Sequence, residues 1–246
     1  MLDESSAILR MLDPSTSEFP PLSIGITGDR IMRCRGQRHT GFVVQGDDRR
    51  LWLFDLVGSE NFRKTEISKG YAHPTDDFFD GPSAATISAF LISRHKESTS
   101  NIKFSLLYDP NKPYFDKSSG RYSAAEPGDG FTCATFVLEI LKHHGFDVID
   151  CADWPIFEED QKWQRGILEN IVDLDPLPTK QHLEAQSSQI GGIPRYRPEH
   201  VVAATVLYDG SPLAFESLAP LSSDVLKELK GMNLDHGSDI PESQEL

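Results

Sequence analysis

The sequence has few cysteines and no long apolar run, and each shortage excludes a class of protein. Its 246 residues include three cysteines, Cys34, Cys133 and Cys151. Three thiols cannot all pair, and a chain of this length buries enough surface to fold without a disulfide framework, so we expect reduced thiols in a cytoplasm. No segment approaches the roughly 20 apolar residues that cross a bilayer, which predicts a chain without a membrane span.

The first residues also lack the features of an export signal. The opening segment MLDESS is acidic, whereas a secretory signal peptide begins with positive charge. We therefore expect a cytoplasmic protein, or one delivered by a dedicated secretion system.

Positive charge is scarce in the second half of the chain. Residues 1–120 hold 15 Lys and Arg against 16 Asp and Glu, whereas residues 121–246 hold 9 against 22, within a net charge of −14. Because phosphate binding needs a cationic surface, this balance argues against nucleic-acid binding. The acidic second half is instead a candidate docking surface for a basic protein partner.

One local cluster departs from this trend. Six arginines lie close together in the first half, namely Arg30, Arg33, Arg35, Arg38, Arg49 and Arg50. They form either the solvated faces of strands and a turn, or a binding site for an anionic group of a substrate.

Motifs for cofactors and metals are missing as well. The sequence has no glycine-rich phosphate loop, no pair of CxxC motifs and no HExxH motif, so no cofactor and no metal site is predicted. The adjacent His143 and His144 would lie on different faces of a helix and could not converge on one ion.

Hydrophobic patterning predicts one α+β domain over residues 1–230. Its core spans about 24–150, a C-terminal elaboration spans about 151–230, and 231–246 form a mobile acidic tail. We expect strands at 31–35, 41–45, 51–57 and 102–108, and a second hairpin from 201–208 and 213–215. We expect helices at 84–95, 132–144, 167–172 and 224–229, after a short helical pattern at 7–12.

Cys133 is the first candidate for chemistry, because it opens the clearest helix. A helix start offers free N–H groups and a positive dipole end, which favour a thiolate and can hold an oxyanion beside it. The alternative is a buried structural thiol, since Cys133 shares a stripe with Phe136, Val137 and Ile140.

A nucleophilic thiol needs a base, and His39 stands at a predicted strand start. Gly41 faces the same side, which would leave space above the imidazole for sulfur and substrate. Asp55 interrupts the apolar segment LFDLV on the next strand, and a carboxylate buried there would need a partner such as an imidazole. Alternatively, Asp55 points to solvent and His39 merely ends its strand.

These residues carry a resemblance to a known family. The segment GFTCATFV at 130–137 resembles the cysteine motif of the NlpC-like branch of papain-like hydrolases, and HTGFV at 39–43 resembles its histidine strand. The order of His39 before Cys133 is similar to the circularly permuted members, which include lecithin retinol acyltransferase-like proteins. Asp55 occupies the place of the third catalytic residue.

The resemblance spans roughly residues 24–150 and implies a fold and an activity. The fold would be an α+β papain-like core, a permuted NlpC-like arrangement in which an antiparallel sheet packs against the helix bearing the cysteine. The activity would be that of a cysteine peptidase, amidase or acyltransferase. Its substrate would be a peptide, a peptidoglycan fragment or a lipid whose amide or ester bond is attacked through an acyl-enzyme.

Two alternatives stay open. His200 also stands at a predicted strand start and could serve as the base in an unpermuted order, although Val202 would then crowd the sulfur. The chain could also be a non-catalytic binding module that keeps the papain-like core and uses its acidic half for docking.

Overall fold

A six-stranded antiparallel sheet forms the framework, and helices pack against it, so the chain is an α+β protein. The structure is a computed structural model that describes residues 7–13, 15, 19–32, 36–58, 62–97, 102–124, 126–171 and 178–236. The strands are β1 (Leu9–Met11), β2 (Leu22–Thr27), β3 (His39–Gln45), β4 (Leu51–Leu56), β5 (Phe62–Ile67) and β6 (Ala72–Pro74), in the sheet order β1-β6-β2-β3-β4-β5. The helices are α1 (Asp29–Met32), α2 (Gly81–Lys96), α3 (Cys133–His143), α4 (Glu158–Ile171), α5 (Lys180–Ser187), α6 (Pro198–Leu207) and α7 (Phe215–Gly231).

The hairpin of β3 and β4 lies inside the sheet, which confirms the prediction for this part of the chain. Phe42 pairs with Phe54, and Val43 with Leu53, in antiparallel register. The face with Phe42 and Phe54 belongs to the main hydrophobic core, and the opposite face with Val43 and Leu53 packs in a smaller apolar cluster. Because both faces are covered, the two strands are apolar over most of their length.

Helix α3 is confirmed where the sequence predicts it, and its first turn is capped. The Thr135 N–H donates to the Thr132 hydroxyl, and the Thr132 N–H donates to the Thr135 hydroxyl, which together form a capping box. Gly145 has a φ of +89° just beyond the helix, a conformation that glycine adopts without strain. Val137 and Ile140 are buried in the main core, so α3 is fixed against the sheet with Cys133 at its N-terminal end.

Four strands, β1, β2, β5 and β6, are missing from the prediction. The pattern at 7–12 was expected to be helical, but Leu9–Met11 form β1, because these residues pair with Ala72–Pro74. Six residues are too few to fold as an isolated helix, so the tertiary pairing decides. Strand β5 reads FRKTEI and keeps its polar residues because it lies at the sheet edge.

The strand predicted at 102–108 is wrong. This segment is irregular, and its one bridge to another described residue joins Phe104 to Phe131. Ile102 is buried in the main core, whereas Leu106 is buried in a separate cluster with Leu168 and Ile193, so the apolar residues face two different surroundings. The first predicted strand is also wrong in part, since α1 covers Asp29–Met32, and residues 33–35 lie outside the described residues.

The second hairpin, predicted at 201–208 and 213–215, does not form: the first segment lies in helix α6, whereas Leu213 forms an isolated bridge with Ile149 and α7 begins at Phe215. Pro198 stands in the first turn of α6, and α6 packs against α3 and α7. Val201, Val202, Ala203 and Ala204 are all buried. A short run that is apolar on every side does not distinguish a buried helix from a buried strand, which is why the pattern misled.

The end of the chain is more ordered than the tail prediction states. Leu234 belongs to the main core, and Asp235 is 0% exposed. The Leu234 carbonyl accepts a hydrogen bond from the Arg30 N–H over 3.2 Å, which attaches this segment to α1. Residues 237–246 lie outside the described residues. Among the helices that the structure describes, none is long and apolar enough to cross a membrane.

Candidate active site

The structure brings Cys133, His39 and Asp55 together at one end of the sheet. His39 is the first residue of β3, Asp55 lies in β4, and Cys133 is the first residue of α3. The distance from His39 Nε2 to Asp55 Oδ2 is 2.6 Å. The Cys133 thiol is hydrogen-bonded to the same imidazole.

The register of the hairpin explains why the imidazole and the carboxylate meet. Phe42 lies opposite Phe54, so Gly41 lies opposite Asp55. His39, two residues before Gly41, is therefore the diagonal neighbour of Asp55 on the same face of the sheet. A Cβ on Gly41 would stand 2.9 Å from Asp55 Cβ and 2.8 Å from the Phe54 carbonyl oxygen. The glycine therefore makes room for the carboxylate strand, and not for the sulfur and substrate as we expected.

Asp55 has a second partner that the sequence analysis did not identify. Arg63 of β5 lies directly opposite Asp55, and its guanidinium binds the carboxylate twice, with Nε 3.0 Å from Oδ1 and Nη2 2.6 Å from Oδ2. Asp55 is 0% exposed. A fully buried carboxylate is stable only when paired, so Arg63 holds the charge that orients His39. The sequence carries no clear signal for Arg63, because FRKTEI is polar and its pairing with β4 is seen only in the structure.

The charges at the site stabilise one another. Burial raises the pKa of the Asp55 carboxyl, but the hydrogen bonds from His39 and Arg63 outweigh it, and the net pKa is lowered. Burial lowers the pKa of the His39 imidazole, yet the Cys133 thiolate and the Asp55 carboxylate reverse this and raise the pKa to about 9.

The pKa of the Cys133 thiol shifts in the opposite direction to that of His39. Burial raises the pKa of the Cys133 thiol, but the His39 imidazolium and a backbone hydrogen bond from Thr40 lower it below its ordinary value. The two shifts together favour a thiolate–imidazolium pair, which is the reactive form of a cysteine nucleophile.

The first turn of α3 supplies free N–H groups beside the sulfur. The capping box uses the N–H groups of Thr132 and Thr135. Within the described part of the chain, the N–H groups of Cys133 and Ala134 find no acceptor, as expected for the first turn of a helix. Both residues line the cavity described next, so these donors are available to an oxyanion.

A cavity of about 400 Å³ adjoins Cys133 and His39. This volume falls in the range of about 300–1,000 Å³ that is typical of small-molecule sites. Its wall is mainly apolar, with Leu56, Val57, Phe104, Trp163, Ile167 and Tyr196 among the lining residues. Trp163 and Ile167 come from α4, so the predicted C-terminal elaboration contributes part of the candidate site.

The alternative base, His200, does not share this environment. Its Nδ1 accepts from the Arg197 N–H over 3.3 Å, and its ring packs against Trp154 and Phe215. Burial lowers the pKa of the His200 imidazole to about 4, so it is neutral near neutral pH. The structure thus pairs Cys133 with His39 and not with His200.

Cys151, the other cysteine that the structure describes, is not paired with an imidazole. Cys151 is part-buried, its sulfur lies 3.7 Å from the Ile149 carbonyl oxygen, and burial raises the pKa of its thiol. Cys34 lies outside the described residues.

The arginine cluster of the first half divides in the structure. Arg38 lines the cavity, whereas Arg30 and Arg49 are exposed and Arg50 pairs with Asp48 on the surface. Arg33 and Arg35 lie outside the described residues. A second arginine of the cavity, Arg195, comes from the loop before α6 and was not among the candidates from the sequence.

Groups of three or more His, Cys, Asp or Glu side chains suited to a metal ion are absent from the residues that the structure describes. Comparisons with protein-family models, with curated proteins and with solved structures found no match to this chain. The assignment of a function therefore depends on the geometry of the site.

Proposed function

We propose that the protein is a cysteine hydrolase or acyltransferase that acts on an amide or ester bond through Cys133, His39 and Asp55. One observation carries the proposal: a hydrogen-bonded chain runs from the Cys133 thiol through His39 to the buried Asp55, beside a cavity of substrate size. The position of the cysteine at a helix N-terminus, packed on an antiparallel sheet, also agrees with a papain-like arrangement in permuted order.

The first half of the reaction would form an acyl-enzyme. The Cys133 sulfur attacks the carbonyl carbon, a C–S bond forms, and the carbonyl electrons move to oxygen. The N–H groups of Cys133 and Ala134 stabilise this oxyanion. When the intermediate collapses, the C–N or C–O bond breaks, and the leaving group takes the proton from His39.

The second half would restore the thiol. Water, or an acceptor alcohol or amine, gives its proton to His39 and attacks the thioester carbon. The C–S bond breaks, and the product is a carboxylic acid or a transferred acyl group. Asp55, held by Arg63, keeps the imidazole oriented and stabilises its charged form through both halves.

A burst experiment with p-nitrophenyl esters tests the proposal. The wild-type chain is mixed with p-nitrophenyl butyrate, and intact-mass measurement and peptide mapping follow the protein. We expect a burst of nitrophenol and the mass of one acyl group on Cys133. Cys133→Ala should abolish both signals, whereas the matched control Cys151→Ala should keep them.

A parallel screen of peptide amides separates a peptidase or amidase from an acyltransferase. Transfer of the acyl group to an added amine or alcohol identifies the latter. If the wild-type chain releases no nitrophenol from any ester and Cys133 acquires no acyl group, the proposal is wrong, and a non-catalytic binding module is the reading that is left.

A further inference from the structure

The charged residues that line the cavity, among those that the structure describes, are all basic. Arg38 and Arg195 line the cavity together with His39, and of the described residues that line it, none is Asp or Glu. This contrasts with the chain as a whole, which carries 38 acidic against 24 basic residues. A cationic substrate would meet no carboxylate among the described residues of this wall.

Arg38 is held in place from behind. Its Nε lies 2.8 Å and its Nη2 lies 2.7 Å from Asp235 Oδ2, and Nη1 lies 3.7 Å from Glu199 Oε1. Both carboxylates are buried, whereas the Arg38 side chain is 13% exposed. The guanidinium is therefore fixed by interior charges and keeps an accessible edge at the cavity.

Arg195, the second arginine of the cavity wall, is held in a similar way. Its Nη1 lies 3.0 Å from the buried Asp160 Oδ1, and its guanidinium lies 3.7 Å from the centre of the Trp163 ring. The side chain is 15% exposed. Stacking and ion pairing together orient the planar group, so its remaining N–H donors stay fixed beside the apolar wall.

We infer that the cavity binds an acyl group with an apolar body and a carboxylate, an inference that rests on the proposed function. The apolar wall formed by Leu56, Phe104, Trp163 and Ile167 would bury the body of the acyl group. Arg38 already faces two buried carboxylates, and Arg195 shares Asp160 with Arg197. The attraction that is left therefore suits a single negative charge better than a phosphate dianion.

Three p-nitrophenyl esters of matched length test the charge preference. The acyl groups are hexanoyl, 5-carboxypentanoyl (from the half-ester of adipic acid, with a free carboxylate), and 6-aminohexanoyl, with a free ammonium group. We expect kcat/KM for the carboxylate ester to exceed that for the ammonium ester by about tenfold or more. Equal kcat/KM values for these two esters would overturn the inference.

Arg195→Gln tests which residue sets this preference. It should lower kcat/KM for the carboxylate ester about tenfold more than for the hexanoyl ester, and Arg195→Lys should keep part of the preference. Arg197→Gln is the matched control, because Arg197 donates to the same Asp160 oxygen over 2.8 Å but does not line the cavity. Equal effects of Arg195→Gln and Arg197→Gln on the preference would contradict the inference.

A binding measurement keeps this inference separate from the proposed function. Titration calorimetry of the Cys133→Ala variant with hexyl hydrogen adipate and with hexyl 6-aminohexanoate needs no catalysis. Tighter binding of the adipate would support the inference even if no ester is turned over. Cys133-dependent turnover with no charge preference would refute the inference and leave the proposed function standing.

Discussion

The two walls of the cavity differ in how they are built. The strand wall holds His39, which is hydrogen-bonded to Asp55 behind it, and Asp55 pairs in turn with Arg63 in β5. The helical wall holds Trp163 and Arg195, and α4 rests on a small apolar cluster around Leu168, separate from the main core. In the proposed function, the sheet would support the chemistry, whereas the helices that pack on the smaller cluster would determine what is bound.

The largest expected effect comes from the strand wall. His39→Ala should lower kcat/KM for the p-nitrophenyl ester by about 10²–10⁴, because proton transfer to and from the thiol is lost. His200→Ala is the control, since His200 is an equally buried histidine that contacts Trp154 and Phe215 and not the thiol. A comparable loss of kcat/KM in both variants would show that the strand wall has no special role.

The next largest loss of activity is expected from Arg63, which we assign as a positioning residue. Arg63→Ala should lower kcat about tenfold or more while KM changes little, because Asp55 loses its bidentate partner and His39 its fixed orientation. It should also raise the pKa of Asp55 and move the acidic limb of the pH–kcat profile upward, and Arg63→Lys should restore part of kcat. Arg50→Ala, on the exposed surface, should leave the profile unchanged. A rise in KM with an unaltered profile would assign Arg63 to substrate binding instead.

The pH profile sharpens the same comparison. The thiolate–imidazolium pair exists above the lowered pKa of Cys133 and below the raised pKa of His39, so kcat/KM should fall as the pH rises through about 9. Asp55→Asn removes a charge that supports the imidazolium, and the descending limb should then move to lower pH. If the descending limb is unchanged in Asp55→Asn, Asp55 does not stabilise the imidazolium of the thiolate–imidazolium pair.

The smallest effect on chemistry is expected from the helical wall. Leu168→Ala should leave kcat almost unchanged, raise KM a few-fold and speed amide exchange in α4 and α5, because it removes a buried side chain from the small cluster. Leu141→Ala, in the main core, should instead destabilise the whole domain by about 2–5 kcal/mol. Equal loss of global stability in the two variants would mean that both walls belong to one cooperative unit.

The strand wall was also the more predictable from sequence. An apolar hairpin interrupted by one aspartate, and a cysteine after Thr132, are local patterns, and they indicate β3, β4 and α3 correctly. Arg63 was missed because β5 is an edge strand whose polar sequence resembles a loop. Its partner depends on cross-strand register, which a single sequence does not show.

The helical wall resisted prediction for other reasons. Helix α6 is buried on all sides, so its sequence has no amphipathic period, and a strand was predicted in its place. Trp163 and Arg195 are 32 positions apart in the sequence and meet through tertiary packing. No spacing rule joins them, so the two residues to which we assign specificity emerged only from the structure.

The central claim is that Cys133 is ionised by His39, and alkylation kinetics test it directly. Iodoacetamide labelling from pH 5 to 9, read by peptide mass spectrometry, gives the rate for each thiol. Cys133 should react well ahead of Cys151 at pH 6–7, and His39→Ala should slow Cys133 to the rate of an ordinary thiol. Equal rates for Cys133 and Cys151 in the wild-type chain, or no change in His39→Ala, would contradict the account.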